Sequence, residues 1–540
     1  MDYGQYTYPS RRSVTFARGG MAATSVPLAA HVGTELLRRG GNAVDAAVGM
    51  AAALTVLEPT SNSLGSDCFA LIWMKGALHG LNASGRAPMG ISARLLRERG
   101  YEAVPLRGWL PVMTPGAPAG WVEALKKFGR LPLAEVLAPA IRYAREGYPV
   151  PVTTAKLWSG IYGEILRTVG GPDTCPEEFR GWYQVFAPGG HAPAAGEMWG
   201  SEAIARTLER IAATEGQDFY QGETAWRLDE FSRRTGGLLR YKDLAAYRPA
   251  WVRPISTEYR GYTVHEMPPN GHGITVLMAL NILKGMPLGA EKESVTTYHS
   301  MIESLKLAYS DAKAFVADPR CMTVEVERLL SADYAAKRRA ILRPDRACEP
   351  VPGDPDCGDT VYLCTADGEG NMVSWIQSHY KEFGSWVVEP ETGVELQNRG
   401  ANFYLDEDSP NCIAPGKQAY HTIIPGFLSR EGRAVGPFGV MGGFMQPQGH
   451  LQVLVNLLDY GMNPQEALDA PRWQWVGGKA VQVEREVPPE LAKTLADMGH
   501  EIQVVEDRTG MGRGEIILRG DGGVLCGGAE PRCDGTVSCF

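Results

Sequence analysis

Thr360 stands at the start of a β-branched and aromatic run, where a nucleophile could be exposed by chain cleavage. The run Thr-Val-Tyr-Leu-Cys-Thr follows the stretch VPGDPDCGD, which ends at Asp359. A threonine hydroxyl is a weak nucleophile, but an N-terminal threonine carries a base in its own α-amine, whose pKa is about 8. Such chemistry requires a cut before Thr360. On the local sequence alone, an ordinary strand threonine is the simpler interpretation.

A pair of adjacent glycines, Gly442 and Gly443, forms the second candidate. They lie in GPFGVMGGFMQPQGH, between an apolar strand and a helix predicted to begin near Gln448. Two consecutive backbone N–H groups at such a junction can stabilise the oxyanion that forms when a carbonyl is attacked. A plain strand-to-helix turn is the alternative, and the motif taken alone favours it.

The third candidate is Arg86 in LNASGRAPMG, which follows a predicted strand and a glycine. A guanidinium at this position can hold a substrate carboxylate through two parallel hydrogen bonds. A solvated surface arginine is the alternative interpretation. None of the three candidates identifies a function by itself.

Helices are predicted to dominate the chain before Thr360. In GGMAATSVPLAAHVGTELLRRGGNAVDAAVGMAAALTVLEP, one helix ends at Gly40-Gly41 and a second is capped by Asn42. A hairpin is predicted around Lys75-Gly76. Residues from about 120 to 350 are predicted to be mainly helical, because apolar residues recur at spacings of three and four residues.

From Thr360 onward strands dominate, beginning with a hairpin whose turn is Asp-Gly-Glu-Gly-Asn, and one helix is predicted in HLQVLVNLLDYGMNPQEALD. This order predicts an α+β layered architecture, in which the second part completes a sheet begun by the first.

The composition favours a soluble globular protein. The 540 residues carry a net charge of -9 and 44% hydrophobic content, and no Lys/Arg-rich stripe supports nucleic-acid binding. The start, MDYGQYTYPSRRSVTFARGG, lacks the apolar region of a secretory signal, and AVDAAVGMAAALTVLEP is too short and too weakly apolar to span a bilayer. We therefore expect a cytoplasmic protein without a membrane segment.

The cysteines and histidines give no metal motif. Ten cysteines occur without a C-x-x-C pair, and ten histidines occur without H-E-x-x-H. We expect reduced cysteines and no metal site.

Together these fragments resemble the γ-glutamyltranspeptidase family of N-terminal-nucleophile hydrolases. The resemblance covers nearly the whole chain in sequence order. The matching pieces are GGNAVDAAV, LEPTSNSLGSDCF, NASGRAP, MTPGAPAGW, LAPAIRYAREG, MPPNGHG, GDTVYLCTADGEGNMVS, LQNRGANF, APGKQAYHTIIP, MGGFMQPQGH, ALDAPRW and GGAEPRCDG.

The resemblance implies a single precursor that cuts itself between Asp359 and Thr360. Residues 1–359 would form a mostly helical large subunit and 360–540 a strand-rich small subunit, intertwined in one four-layer αββα sandwich. Thr360 would attack an amide carbonyl, with the N–H groups of Gly442 and Gly443 as the oxyanion hole, and the acyl group would pass to water or an amine. No metal or organic cofactor is implied, and a homo-oligomer is possible.

The substrate pocket carries over unevenly. Arg86 matches the family arginine that grips the substrate α-carboxylate. Ser378 falls where the family usually has a threonine that supports the nucleophile, so the hydroxyl is kept. His421 and Thr422 occupy the place of a serine pair, so half of that hydroxyl pair is kept.

The family contacts to the substrate α-amino group change more. Its asparagine, glutamine and aspartate are replaced by Tyr380, Arg399 and Asn402. An ammonium group needs a nearby carboxylate, and an added arginine repels it. Two arginines, Arg86 and Arg399, without a nearby acid suit an anionic acyl group that lacks the amine, such as glutaryl or oxamate.

The segment between Asn402 and Lys417 is shorter than in glutathione-processing members, which implies an open pocket and hydrolysis rather than transfer. Relatives with this QNRG-type pattern include oxamate amidohydrolase and the cephalosporin (glutaryl) acylases. We expect a self-processing amidohydrolase acting on a small carboxylate-bearing amide. A γ-glutamyl hydrolase or transpeptidase and an unprocessed, catalytically silent ligand-binding relative are the alternatives.

Overall fold

Two seven-stranded sheets lie at the centre of the molecule. The computed structural model describes residues 12–350 and 359–540. The strands are β1 Thr15–Ala17, β2 Gly20–Thr24, β3 Asp67–Met74, β4 Ala77–Ala83, β5 Tyr148–Pro149, β6 Met198–Trp199, β7 Ala250–Val252, β8 Ile255–Tyr259, β9 Tyr262–Glu266, β10 Asp359–Asp367, β11 Met372–Tyr380, β12 Val388–Glu389, β13 Val394–Glu395, β14 Gly426–Arg430, β15 Arg433–Met441, β16 Trp473–Gly477, β17 Ala480–Glu484, β18 Glu501–Val505, β19 Arg513–Arg519, β20 Leu525–Ala529 and β21 Thr536–Cys539.

Helices cover the sheets on both outer sides. They are α1 Pro27–Arg38, α2 Ala43–Leu57, α3 Ala93–Glu98, α4 Ala117–Phe128, α5 Leu133–Glu146, α6 Val152–Val169, α7 Glu177–Phe186, α8 Glu202–Ala213, α9 Gln217–Gln221, α10 Glu223–Arg234, α11 Tyr241–Ala246, α12 Ile274–Leu283, α13 Val295–Phe315, α14 Val326–Leu329, α15 Ala332–Arg339, α16 Gln446–Leu458, α17 Pro464–Asp469 and α18 Pro489–Asp497. In the described ranges, no helix has an apolar stretch long enough to cross a bilayer.

Both sheets combine strands from the two sides of Thr360. The first has the order β21-β2-β10-β11-β3-β4-β7, and the second has the order β1-β20-β19-β15-β14-β9-β8. The hairpin β10–β11 is inserted between β2 and β3 through antiparallel pairing on both sides. Neither side of Thr360 therefore completes either sheet alone.

The two sheets pack face to face between two layers of helices. The inner contact is close, because a Cβ on Gly439 of β15 would lie 2.3 Å from the Tyr362 ring of β10. Helices α1 and α2 pack on the first sheet, and α12 and α16 pack on the second. Each helical layer shares a hydrophobic core with its sheet. This arrangement confirms the predicted αββα sandwich.

The predicted start of α2 is confirmed in detail. The Asn42 side chain accepts hydrogen bonds from the N–H groups of Val44 at 2.8 Å and Asp45 at 3.2 Å. The Asp45 carboxylate in turn accepts from the Asn42 N–H at 2.7 Å, which completes a capping box. The hairpins β3–β4 and β10–β11 also occur where the sequence predicts them.

Two predicted elements differ from the structure. The region predicted as mainly helical also contains the short strands β5 to β9, of which β7 and β9 pair with the distant strands β4 and β14, a tertiary contact that local periodicity does not report. The single late helix is two, because Asn463 accepts from the Glu466 N–H at 3.0 Å and Pro464 begins α17. Helix α16 begins at Gln446 rather than near Gln448.

Candidate active site

Thr360 lies at an irregularity in the pairing of β10 with β11. Asp359 is opposite Tyr380 and Val361 is opposite Gln377, so one residue on β10 faces two residues on β11. Such a β-bulge turns side chains out of the regular alternation. The buried Thr360 hydroxyl donates a hydrogen bond to Ser378 Oγ at 3.2 Å.

A second group holds the same hydroxyl from the other side. The Gln446 Nε2 group donates to Thr360 Oγ1 at 3.2 Å, while Gln446 Oε1 accepts from the Ile424 N–H at 2.9 Å. Ser378 Oγ also accepts from the Tyr380 N–H at 2.8 Å. The orientation of the Thr360 hydroxyl is therefore fixed by two side chains that are themselves bound to the backbone. The sequence analysis identified Ser378 but missed Gln446.

The predicted glycine pair precedes Gln446, which binds this hydroxyl. Strand β15 ends at Met441, a short 3₁₀ turn spans Gly443–Met445, and Gln446 opens α16. Gly442 has φ 132° and Gly443 has φ 56°, conformations that disfavour residues with a Cβ. The turn therefore leads directly into Gln446, the residue that binds the predicted nucleophile.

Arg399 is fully buried on the 3₁₀ turn Arg399–Asn402, and two of its three guanidinium nitrogens have no partner among the described residues. Its Nη1 donates to the Thr422 hydroxyl, and its guanidinium lies over the Tyr380 ring at 4.7 Å. Within the described part of the chain, Nε and Nη2 have no hydrogen-bond partner. Burial lowers the pKa of Arg399 to about 10, and the nearby Asp67 carboxylate opposes this shift.

Asn402, at the other end of the same turn, also carries an unpaired donor. Its Nδ2 is buried without a partner among residues 12–350 and 359–540. Its backbone carbonyl accepts from Asn411 Nδ2 at 2.6 Å. The positions that replace the family amine contacts thus offer donors, which suit an acceptor ligand.

Asp67 is the main residue that the sequence analysis missed. It begins β3 directly opposite Ser378 in the β3–β11 register. Its carboxylate accepts from the Gly85 N–H at 2.8 Å, from Gln397 Nε2 at 2.7 Å and from His421 Nε2 at 3.0 Å. Burial raises the pKa of Asp67 to about 7, against the opposing effect of Arg399. No local signal in SDCF indicates this environment.

His421 serves Asp67 rather than completing a hydroxyl pair. Its Nδ1 accepts from the Ile423 N–H at 3.4 Å, which leaves the proton on the Nε2 that faces Asp67. Burial lowers the pKa of His421 well below its usual value. Thr422 alone supplies a hydroxyl here, and it binds Arg399.

The expectation that Arg86 and Arg399 have no nearby acid is wrong. Arg399 has Asp67 within electrostatic reach. Arg86, whose side chain is 40% exposed, lies 3.7 Å from the Asp318 carboxylate and donates to the Gly416 carbonyl at 3.2 Å. The reason lies in the tertiary contacts, since both acids come from segments far from the arginines in sequence.

A separate buried cluster contains potential metal ligands, but its charge is already balanced. His299, Glu303 and His500 place ligand atoms within 4.8 Å of one another. The Lys306 ammonium lies 2.8 Å from Glu303, and His299 Nδ1 is 3.0 Å from His500 Nε2. The Glu303 carboxylate therefore already has a cationic partner, and the two imidazoles already bind each other.

Comparison with known proteins follows the same motifs across the chain. The family model for gamma-glutamyltranspeptidase matches residues 29–540. The chain belongs to the gamma-glutamyltranspeptidase family. Within this family it is 36% identical to the glutathione hydrolase-like YwrD proenzyme of Bacillus subtilis, over 94% of this chain and 96% of that protein.

Two further relatives extend the range of activities in the gamma-glutamyltranspeptidase family. The oxamate amidohydrolase proenzyme of Klebsiella pneumoniae is 33% identical, over 96% of this chain and 98% of that protein. The crystal structure of cephalosporin acylase from Bacillus halodurans has a TM-score of 0.96 and 53% identity, and covers 100% of this chain and 99% of its own. These findings confirm the predicted family and fold, and identify the chain as an enzyme with amidohydrolase or gamma-glutamyltransferase-like activity.

Proposed function

We propose that this enzyme is a self-processing amidohydrolase that hydrolyses small acyl amides whose acyl group carries a free carboxylate. Glutaryl and oxamate-type amides are the expected substrate class. Thr360 is the nucleophile in this proposal, Ser378 and Gln446 orient it, and Gly442 and Gly443 form the oxyanion hole.

The unpaired donors of Arg399 carry the proposal. Nε and Nη2 lie on one edge of the guanidinium, and that edge matches the two oxygens of a carboxylate. A buried donor without a partner costs roughly 1 to 3 kcal/mol, so a ligand acceptor that satisfies it gains binding free energy. Asn402 Nδ2 adds a further donor. An α-ammonium group would bring more donors to a place that needs acceptors.

Maturation uses the hydroxyl that later performs catalysis. Thr360 Oγ1 attacks the Asp359 carbonyl carbon, the peptide C–N bond breaks, and an ester joins Asp359 to Thr360 Oγ1. Water then hydrolyses the ester, which leaves a carboxylate on Asp359 and a free α-amine on Thr360. Because both sheets contain strands from residues 12–350 and 359–540, the two fragments would stay together.

In the mature enzyme, the Thr360 α-amine accepts the hydroxyl proton while Oγ1 attacks the substrate amide. The N–H groups of Gly442 and Gly443 stabilise the tetrahedral oxyanion, and the leaving amine takes the proton as the C–N bond breaks. Water then attacks the acyl ester, which releases the acid and restores the hydroxyl. Water is the acceptor in this proposal because the segment between Asn402 and Lys417 is shorter than in glutathione-processing members, which would leave less chain to exclude water from a bound acyl group.

A γ-glutamyl hydrolase is the second candidate, and Asp67 is the observation that favours it. An ionised Asp67 is a carboxylate near Arg399 that an α-ammonium group could approach. However, its two oxygens already accept three hydrogen bonds from the protein. The anionic acyl group is therefore the better match.

Two measurements test the proposal. Intact mass of the purified protein should give two fragments that meet at Asp359 and Thr360, and an uncut active chain would refute the maturation step. The value of kcat/KM is then compared for glutaryl-, γ-glutamyl- and pentanoyl-p-nitroanilide, with ammonia release from oxamate measured in parallel. We expect glutaryl or oxamate to be preferred. A preference for the γ-glutamyl amide of tenfold or more, about 1.4 kcal/mol, would refute the anionic-acyl assignment.

A further inference from the structure

Arg399 and the Asp67–His421 pair form one buried charge system beside Ser378. Gln397 binds Asp67, and Arg399 follows two residues later on the chain. His421 binds Asp67, and its neighbour Thr422 accepts from Arg399. The acid and the guanidinium are thus joined through two short chain segments, and all of these side chains are at most 1% exposed.

The charges in this system balance only while no anion is bound. Arg399 carries one positive charge and an ionised Asp67 carries one negative charge. A carboxylate on the free guanidinium edge would leave the buried cluster with a net negative charge, which is unfavourable away from water. Uptake of one proton by the pair restores neutrality.

We propose that the buried Asp67–His421 pair sets the charge state of the acyl pocket, neutralising Arg399 when the pocket is empty and taking up one proton from solvent when a carboxylate-bearing acyl group binds. The added proton goes to a free lone pair of the Asp67 carboxylate, whose Oδ2 continues to accept from His421 Nε2–H at 3.0 Å. The inference rests on the proposed anionic acyl substrate. It makes Asp67 a specificity-determining residue that acts through Arg399.

The other titratable groups around the pair stay in one form near neutral pH. Burial raises the pKa values of Cys68, Tyr220 and Tyr247 well above their usual range, so all three stay protonated. Burial lowers the pKa values of His272 and His379 to about 3, so both stay neutral.

Two cations complete the surroundings of the pair. Arg399, with a pKa of about 10, stays charged, and Arg86 acts electrostatically on Tyr247, which Asp67 also affects. The pKa of Asp67, about 7, is the one among these groups that places a charge change in the working range.

The ratio of kcat/KM for glutaryl-p-nitroanilide to that for pentanoyl-p-nitroanilide, measured from pH 6 to 9, tests the inference. The ratio cancels the titration of the Thr360 amine, which both substrates share. In the wild type it should be level below about pH 7 and fall about tenfold per pH unit above it, because the ionised pair must first take up a proton. In Asp67→Asn the ratio should be level throughout, and in the neighbouring control Cys68→Ala it should follow the wild type.

Proton uptake provides a readout that needs no variant. Calorimetric titration of processed wild-type enzyme with glutarate, in buffers of different ionisation enthalpy at pH 8, should show about one proton taken up per glutarate bound, and Asp67→Asn should take up about one fewer. Binding without proton uptake, or a pH-dependent ratio that persists in Asp67→Asn, overturns this inference and leaves the proposed function intact. Failure of glutarate and oxamate to bind or turn over overturns both.

Discussion

Replacement of Arg399 by glutamine should remove recognition of the acyl carboxylate while leaving the reaction centre in place. The guanidinium offers two unpaired N–H groups on one edge, and each charge-assisted hydrogen bond contributes about 1.5 to 3 kcal/mol. The two bonds together contribute roughly 3 to 6 kcal/mol of binding free energy, and a hydrogen bond from the glutamine amide replaces part of it. We therefore expect kcat/KM for glutaryl-p-nitroanilide to fall by at least about a hundredfold.

The comparison substrate separates recognition from general damage. Pentanoyl-p-nitroanilide has the same chain length without the carboxylate, so its kcat/KM should change by less than about threefold in Arg399→Gln. The control is Arg94→Gln, because Arg94 is an exposed arginine on α3 that pairs with Glu98. Its kcat/KM values should match those of the wild type. Intact mass must show normal cleavage in each variant before rates are compared.

Two outcomes would refute this reasoning. An equal loss on both substrates would mean that Arg399 supports the fold or the nucleophile instead of the carboxylate. A loss below about fivefold on the glutaryl substrate would mean that the free guanidinium edge faces no ligand. The double variant Arg399→Gln with Asn402→Asp should move preference toward γ-glutamyl-p-nitroanilide, because it removes a cation and adds the carboxylate that an ammonium group needs.

Three further perturbations test the reaction centre. Thr360→Ala should block both cleavage and turnover, whereas Thr360→Ser should be cleaved and keep some activity; a cleaved, fully active alanine variant would rule out this nucleophile. Gly443→Ala should lower kcat by about a hundredfold to a thousandfold. Gly432, which also has a positive φ of 73° but has open space around it, provides the control variant Gly432→Ala for backbone strain. A change in kcat within twofold for Gly443→Ala would place the oxyanion hole elsewhere. Gln446→Met should slow turnover by up to about tenfold, because the hydrogen bond to Thr360 is lost. The control is Gln448→Met, since the Gln448 amide binds the Trp475 backbone instead. Equal rates in the two variants would contradict the orienting role of Gln446.

Local sequence determined the elements whose stability is local. Asn42 and Asp45 are three residues apart and satisfy each other's backbone at the start of α2, so their spacing suffices to predict the cap. The hairpin from Thr360 to Tyr380 has β-branched and aromatic residues on both sides of the turn Asp-Gly-Glu-Gly-Asn, and it forms as predicted. The order of motifs around Thr360, Gly442 and Arg86 was likewise sufficient to predict the family.

Tertiary structure alone decided the charge environment of the candidate pocket. Asp67 and His421 are 354 positions apart, and only the pairing of β3 with β11 brings Asp67 opposite Ser378. The sequence therefore predicted two arginines without an acid, while the fold provides an acid for each. Burial then decides what those charges do, because desolvation shifts the pKa values of Asp67 and Arg399 in a way that residue type and spacing do not encode.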